Sequence, residues 1–124
     1  MLVVIDTNII VSALLSPAGS AFQFFSEVLD GKHNVLISED IYKEYKDVLH
    51  REKFGFDEEI VSFILNWFVK NAIWIEPSQS TEPVPDEGDR AFFDLAKACK
   101  AKLVTGNIKH YPVHEIVTSL KEIL

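Results

Sequence analysis

Four short runs rich in β-branched and other apolar residues, LVVI at 2–5, NVLI at 34–37, AIWI at 72–75 and KLVT at 102–105, alternate with segments of helical spacing. Runs of this length, bounded by polar or turn residues, predict strands buried on both faces. The helical stretches are 7–15, 20–30, 39–51, 57–70 and 88–100, with a further strand near 115–117 and a helix from Ser119 to the end. Ser16-Pro17-Ala18-Gly19, Asp30-Gly31 and Phe54-Gly55-Phe56 punctuate the helices. Strand and helix patterns that alternate along the chain predict an α/β fold, a three-layer α/β/α sandwich around a central parallel sheet. The longest irregular piece, Glu76 to Gly88 with Pro77, Pro83 and Pro85, reads as a surface connection into the region of the strand ends.

The 124 residues, 48% of them apolar, suffice for one domain over 1–124 and are too few for two. No apolar run reaches the roughly 18 residues that a membrane span needs, and Asp6 cuts off the apolar start before it could act as a secretory segment. A cytoplasmic protein with no membrane partner is expected. The single cysteine, Cys99, falls among apolar helix positions and reads as packing. A net charge of −7 argues against a protein that coats nucleic acid, since phosphate binding through counterion release needs a basic surface. Cutting nucleic acid remains open to an acidic chain if some of its carboxylates hold metal ions.

Several acids stand where a core would not choose them. In open parallel sheets ligands bind outside the carboxyl ends of the strands, and Asp6 follows LVVI directly, before Thr7-Asn8; as a plain helix cap it would also be unremarkable. Glu44 flanks the Ile41, Tyr45, Val48, Leu49 stripe of its helix, half turned toward the core, whereas Asp47 and Glu52 point to water. Asp89 flanks the Phe92, Leu95, Ala96, Cys99 stripe near the start of its helix; Asp94 lies opposite and is expected to be exposed. Asp86 and Glu87 precede that helix and complement its dipole, and Asp86 is also a candidate metal carboxylate. Thr105-Gly106-Asn107 leaves a strand at its carboxyl end: Gly106 permits a tight turn with positive φ, and Asn107 offers an amide oxygen where a fourth carboxylate would be natural. Oxygen side chains gathered at one sheet edge repel one another unless a hard cation lies among them, and all-oxygen ligands select Mg²⁺ or Mn²⁺ over zinc.

The segments VIDTNIIVSALL (4–15), ISEDIYKEYKDVL (37–49) and DRAFFDLAKACKAKLVTGN (89–107) resemble the PIN-domain family, in particular the small prokaryotic VapC-like toxins of toxin-antitoxin pairs. The resemblance covers nearly the whole chain. It implies Mg²⁺- or Mn²⁺-dependent endonucleolytic cleavage of RNA, with Asp6, Glu44 and Asp89 as the catalytic, metal-binding acids. Asn107 takes the place of the family's fourth acid, a departure that bears on a second metal site more than on the first, and Asp86 matches an additional acidic position. Thr7, Asn8 and Thr105 match polar residues that hold the carboxylates in place; plain caps and strand-end hydroxyls would look the same. Lys97, Lys100, Lys102, Lys109 and His110 form the most basic stretch, with Arg90 nearby. Arg90, Lys109 and His110 are candidates to meet substrate phosphate, although a solvated helix face explains most of these positions as well.

The expected function is a single-strand-specific ribonuclease, a toxin restrained by a cognate antitoxin. A PIN fold kept as a catalytically silent binding module is the alternative, motivated by Asn107 and the acidic surface. A phosphatase with an aspartyl nucleophile would want a second Asp two residues after the first, where Asn8 stands. Nine phenylalanines and two tryptophans, with a helix 57–70 apolar nearly all round, predict a partner surface and a homodimer.

Overall fold

In the computed structural model, which describes residues 1–124, the chain runs β1 (Leu2–Ile5), α1 (Thr7–Leu15), α2 (Ser20–Leu29), β2 (Asn34–Ile37), α3 (Glu39–Leu49), α4 (Glu58–Asn71), β3 (Ile73–Trp74), α5 (Arg90–Cys99), β4 (Lys102–Thr105), β5 (Val117–Ser119) and α6 (Leu120–Ile123). Single 3₁₀ turns cover Glu87–Asp89 and Ile108–His110. All five strands are parallel, in the order β3-β2-β1-β4-β5. This is the predicted parallel sheet between helical layers. β1 lies at the centre, paired to β2 through Val3 and Val35 and to β4 through Ile5 and Val104. The chain adds strands on one side of β1 and then returns to its other side, so the sheet order reverses between β1 and β4. A crevice opens at such a point beyond the strand ends, and it is framed by the loops that follow Ile5 and Thr105.

One apolar core of 29 residues holds the layers together. Val3, Val4, Ile5, Leu103 and Val104 are fully buried, as the near-continuous apolar strands require. Phe24, Phe68, Phe92 and Phe93 fill the space between sheet and helices, each contributing about 1.5–3 kcal/mol of burial. β3 departs from the expectation of strands buried on both faces: it has two residues, both exposed. It is the edge strand beside β2, and Trp74 is held from one side only, against Tyr42 and by donating its indole N–H to the Phe68 carbonyl at 3.3 Å. The strand expected near 115–117 is displaced to Val117–Ser119.

Helix boundaries follow their caps. Ser38 accepts from the Ile41 N–H at the start of α3 and Asp57 from the Glu59 N–H at the start of α4. The predicted helix 88–100 begins as α5 only at Arg90, because the chain first makes the 3₁₀ turn closed by Asp86.

Asp94 corrects the sequence reading. Expected in solvent, it is 5% exposed, and its two oxygens accept the Ser80 N–H at 3.0 Å and the Ser80 hydroxyl at 2.5 Å. Helical periodicity places Asp94 away from the apolar stripe of α5, but the 76–88 connection folds over that face. Arg90 completes the strap: its guanidinium donates to the Ser80 and Glu82 carbonyls, both at 2.8 Å, and to both Glu87 carboxylate oxygens.

Candidate active site

Asp6 is a carboxylate buried at the carboxyl end of the central strand. Its Oδ2 accepts the Thr105 hydroxyl at 2.8 Å and the Tyr111 phenol at 2.9 Å, and Oδ1 accepts the Asn8 N–H at 3.3 Å, which caps α1. Capping and site-building are therefore the same geometry, and neither sequence reading excludes the other. Asn8 ties the two loops of the crevice: its amide oxygen accepts the Gly106 N–H at 3.1 Å and its amide nitrogen reaches the Thr105 hydroxyl at 3.5 Å. Thr105, fully buried, also accepts the Asn107 N–H at 3.1 Å. The positive φ expected at Gly106 is not adopted; the left-handed positions are Gly31, Gly55 and Lys100.

Helix α3 brings in Glu44. Tyr45 is fully buried and donates its hydroxyl to the Ile5 carbonyl, docking the helix on the end of β1 immediately before Asp6. The neighbouring Glu44 then faces Thr7, whose hydroxyl donates to Oε2 at 2.5 Å. Burial raises the Glu44 pKa, the Thr7 hydrogen bond opposes the shift, and the Asp6 charge raises it further. Asp89 enters from the start of α5, half-buried. Its pKa is pushed up to about 6, first by burial and then by the charges of Asp6, Asp86 and Glu44, with His110 opposing. Burial together with the Asp6 charge likewise raises both phenols, Tyr45 and Tyr111. Asp6, Glu44 and Asp89 thus share one end of the sheet and feel one another's charge.

The remaining candidates lie around this centre. Asp86 is exposed, accepts the Gly88 N–H at 2.8 Å and adds charge against Asp89. The Asn107 amide oxygen caps the turn at Ile108–His110 by accepting the Lys109 N–H at 3.2 Å, and its nitrogen lies 3.0 Å from the His110 Nε2. Lys109 and His110 are exposed on the same loop. Arg90, expected to meet phosphate, is instead committed to the strap over α5. Tyr111 and Tyr45 were not anticipated; the signal for Tyr111 was an aromatic residue inside the otherwise polar KHYP stretch right after the crevice loop.

The donor set suits a hard divalent cation. Its side-chain donors are oxygens, Asp89 has no hydrogen bond offsetting its charge, and the basic side chains that oppose the upward shifts of Glu44 and Asp89 are Arg51 and His110 alone. No three acidic, histidine or cysteine side chains close into a metal cage.

A model of the PIN domain matches residues 2–109. The chain belongs to the PIN-domain family. Members of this family are generally nucleases that use divalent metals. An uncharacterised protein of Methanocaldococcus jannaschii is 31% identical over 108 residues, which are 85% of this chain and 70% of that protein. Among solved structures, a chain of VapBC2 from Rickettsia felis, crystallised with a DNA fragment from its promoter, superposes with a TM-score of 0.62 at 20% identity over 96% of this PIN domain and 97% of that chain. That likeness establishes the fold.

The Tyr111 phenol is the donor to Asp6 most open to test. Tyr111→Phe keeps the ring in its buried place and removes one of two donors to a buried carboxylate oxygen, so it is expected to cost about 1.5–3 kcal/mol. A urea midpoint unchanged from wild type would show that this hydrogen bond holds nothing.

Proposed function

We propose that this PIN-domain protein is a Mg²⁺- or Mn²⁺-dependent endoribonuclease acting on single-stranded RNA in the cytoplasm, and that it is the toxin of a toxin-antitoxin pair. The observation that carries the reading is the meeting of Asp6, Glu44 and Asp89, from β1, α3 and the start of α5, at the point where the sheet order reverses. These three would hold the ion, with Asp86 and Asn107 beside them. Bound there, the ion would supply a water of lowered pKa for attack on a phosphodiester and offset the charge that develops on it. The chain's own part is positional. Thr105 and Tyr111 fix Asp6, Thr7 fixes Glu44, and Asn8 keeps the β1 and β4 loops in register. Lys109 and His110, exposed on the crevice loop, are placed to meet phosphate. Cleavage of a single-stranded RNA that is lost in chelator and restored by Mn²⁺ supports this assignment; RNA left intact in excess Mn²⁺ rejects it.

A silent binding module is the second reading, favoured by the Asn107 oxygen being spent on the Lys109 N–H. Calorimetry separates the two, since a silent module would take up no Mn²⁺ through its carboxylates.

For the partner, the support lies in apolar surface. α4 buries Val61, Ile64, Leu65 and Phe68 yet leaves Ile60, Phe63 and Val69 about half exposed. Phe63 and Ile60 line a groove of about 340 Å³ shared with Phe22 and Phe25 of α2. Such a surface suits a protein partner, an antitoxin or a second copy. A homodimer is expected in sedimentation at micromolar concentration, and a monomer there would count against self-association.

A further inference from the structure

The basic stretch near the C-terminus does not act as one unit in the fold. Strand β4 divides it, with Lys109 and His110 at the carboxylate end and Lys97, Lys100 and Lys102 at the other. At this other end lies a groove of about 440 Å³ between the last turn of α5, the start of β4 and the loop before β5, lined by the three lysines with His114 and Glu115. Lys97 is ion-paired to Glu82, whereas the exposed Lys100 and Lys102 have no such partner, so two free ammonium groups face one carboxylate. Lys100 is held in the left-handed region, φ 53° and ψ 40°, at the position ending α5. Glycine ordinarily takes that position, because a side chain there is disfavoured. The backbone N–H of Lys100 already closes the helix on Ala96 and Lys97, so what lysine adds over glycine is its side chain at the groove. His114 supplies a further donor. Its Nδ1 accepts the Ile116 N–H at 3.2 Å, so the neutral ring carries its proton on Nε2, and the ring stands edge-on to Phe93.

We propose that this groove binds the phosphodiester backbone of a single-stranded nucleic acid, as a contact separate from the carboxylate centre. Monoanionic phosphates suit a site with two free ammonium groups, one N–H donor and one opposing acid. β4 advances about 3.3 Å per residue, which sets Lys102 roughly 10 Å along the strand from Thr105. Because β4 is flanked by β1 and β5, a nucleic-acid chain reaching from this groove to the carboxylate end would run past the outer edge of β5. As the path of an RNA substrate this rests on the nuclease reading, but the contact is measurable without cleavage.

The test is binding of a labelled single-stranded homopolymer RNA in chelator, by anisotropy across a salt series, with wild type and Lys100→Asn/Lys102→Gln. Asparagine tolerates the left-handed backbone, and both sites are exposed, so the variant keeps its fold. The double variant is expected to bind several-fold more weakly at low salt, with a salt slope shallower by about 1.4, or about 0.7 for each phosphate that is no longer neutralised. Lys100→Arg/Lys102→Arg is expected to restore both. An unchanged slope and affinity in the Asn/Gln variant, or no binding by wild type at low salt, overturns the proposal. Absence of Mn²⁺-dependent cleavage with this binding intact would instead refute the nuclease reading alone.

Discussion

Asp6→Asn is expected to lower Mn²⁺-stimulated RNA cleavage by about 10²- to 10³-fold or more, the scale seen when a group that stabilises transition-state charge is removed, while the protein stays folded. The asparagine oxygen can still accept from Thr105 and Tyr111 where Oδ2 stood, while its amide nitrogen takes the place of Oδ1 and gives up the acceptor for the Asn8 N–H. What disappears is a negative charge that raises the pKa of Asp89, Glu44 and both neighbouring phenols. The lost cap, worth about 1 kcal/mol, works against the relief of that repulsion, so the apo variant should stay folded with a stability near that of wild type at neutral pH, and its Asp89 pKa should fall from about 6. Asp89→Asn should abolish cleavage in the same way. A residue that served only as a helix cap would give the opposite pattern, with cleavage retained. Rates measured beside urea midpoints decide between them.

The second expected result concerns pH. The folded pKa of Asp89, about 6, lies above the roughly 3.9 of an unfolded aspartate. The folded state then holds this proton more tightly. The stabilisation is complete below about pH 4 and is lost as pH rises through 6. Glu44 is shifted in the same direction. Without metal, stability should decline from pH 5 to pH 7. At pH 7 Mn²⁺ should reverse the loss, since an ion at 100 times its dissociation constant stabilises by about 2.7 kcal/mol; at pH 5 it must displace a proton from Asp89 and should stabilise far less. Thermal melts with and without Mn²⁺ at the two pH values read this directly. An equal shift at both would mean that the ion binds elsewhere.

The parts of this fold that periodicity encodes were legible in the chain. β1, β2 and β4 each carry consecutive buried residues after an exposed first position because both their faces are covered, and α3 shows its buried stripe at Ile41, Tyr45 and Leu49. Three acids could be singled out because each flanks an apolar stripe or ends a strand. Periodicity says nothing about what crosses a helix face from elsewhere. Hence Asp94 read as exposed although Ser80 covers it, and Arg90 read as free although the same strap uses its guanidinium. The phenols of Tyr45 and Tyr111 reach their acceptors across 40 and 105 residues of chain. Contacts that long depend on strand order, which local pattern does not determine.

The most direct measurement is anomalous diffraction from crystals of this protein soaked in Mn²⁺. A peak bounded by the carboxylates of Asp6, Glu44 and Asp89, and absent from Asp6→Asn crystals, is the predicted outcome. Manganese bound only at other surface acids, with that crevice holding none, would contradict the account.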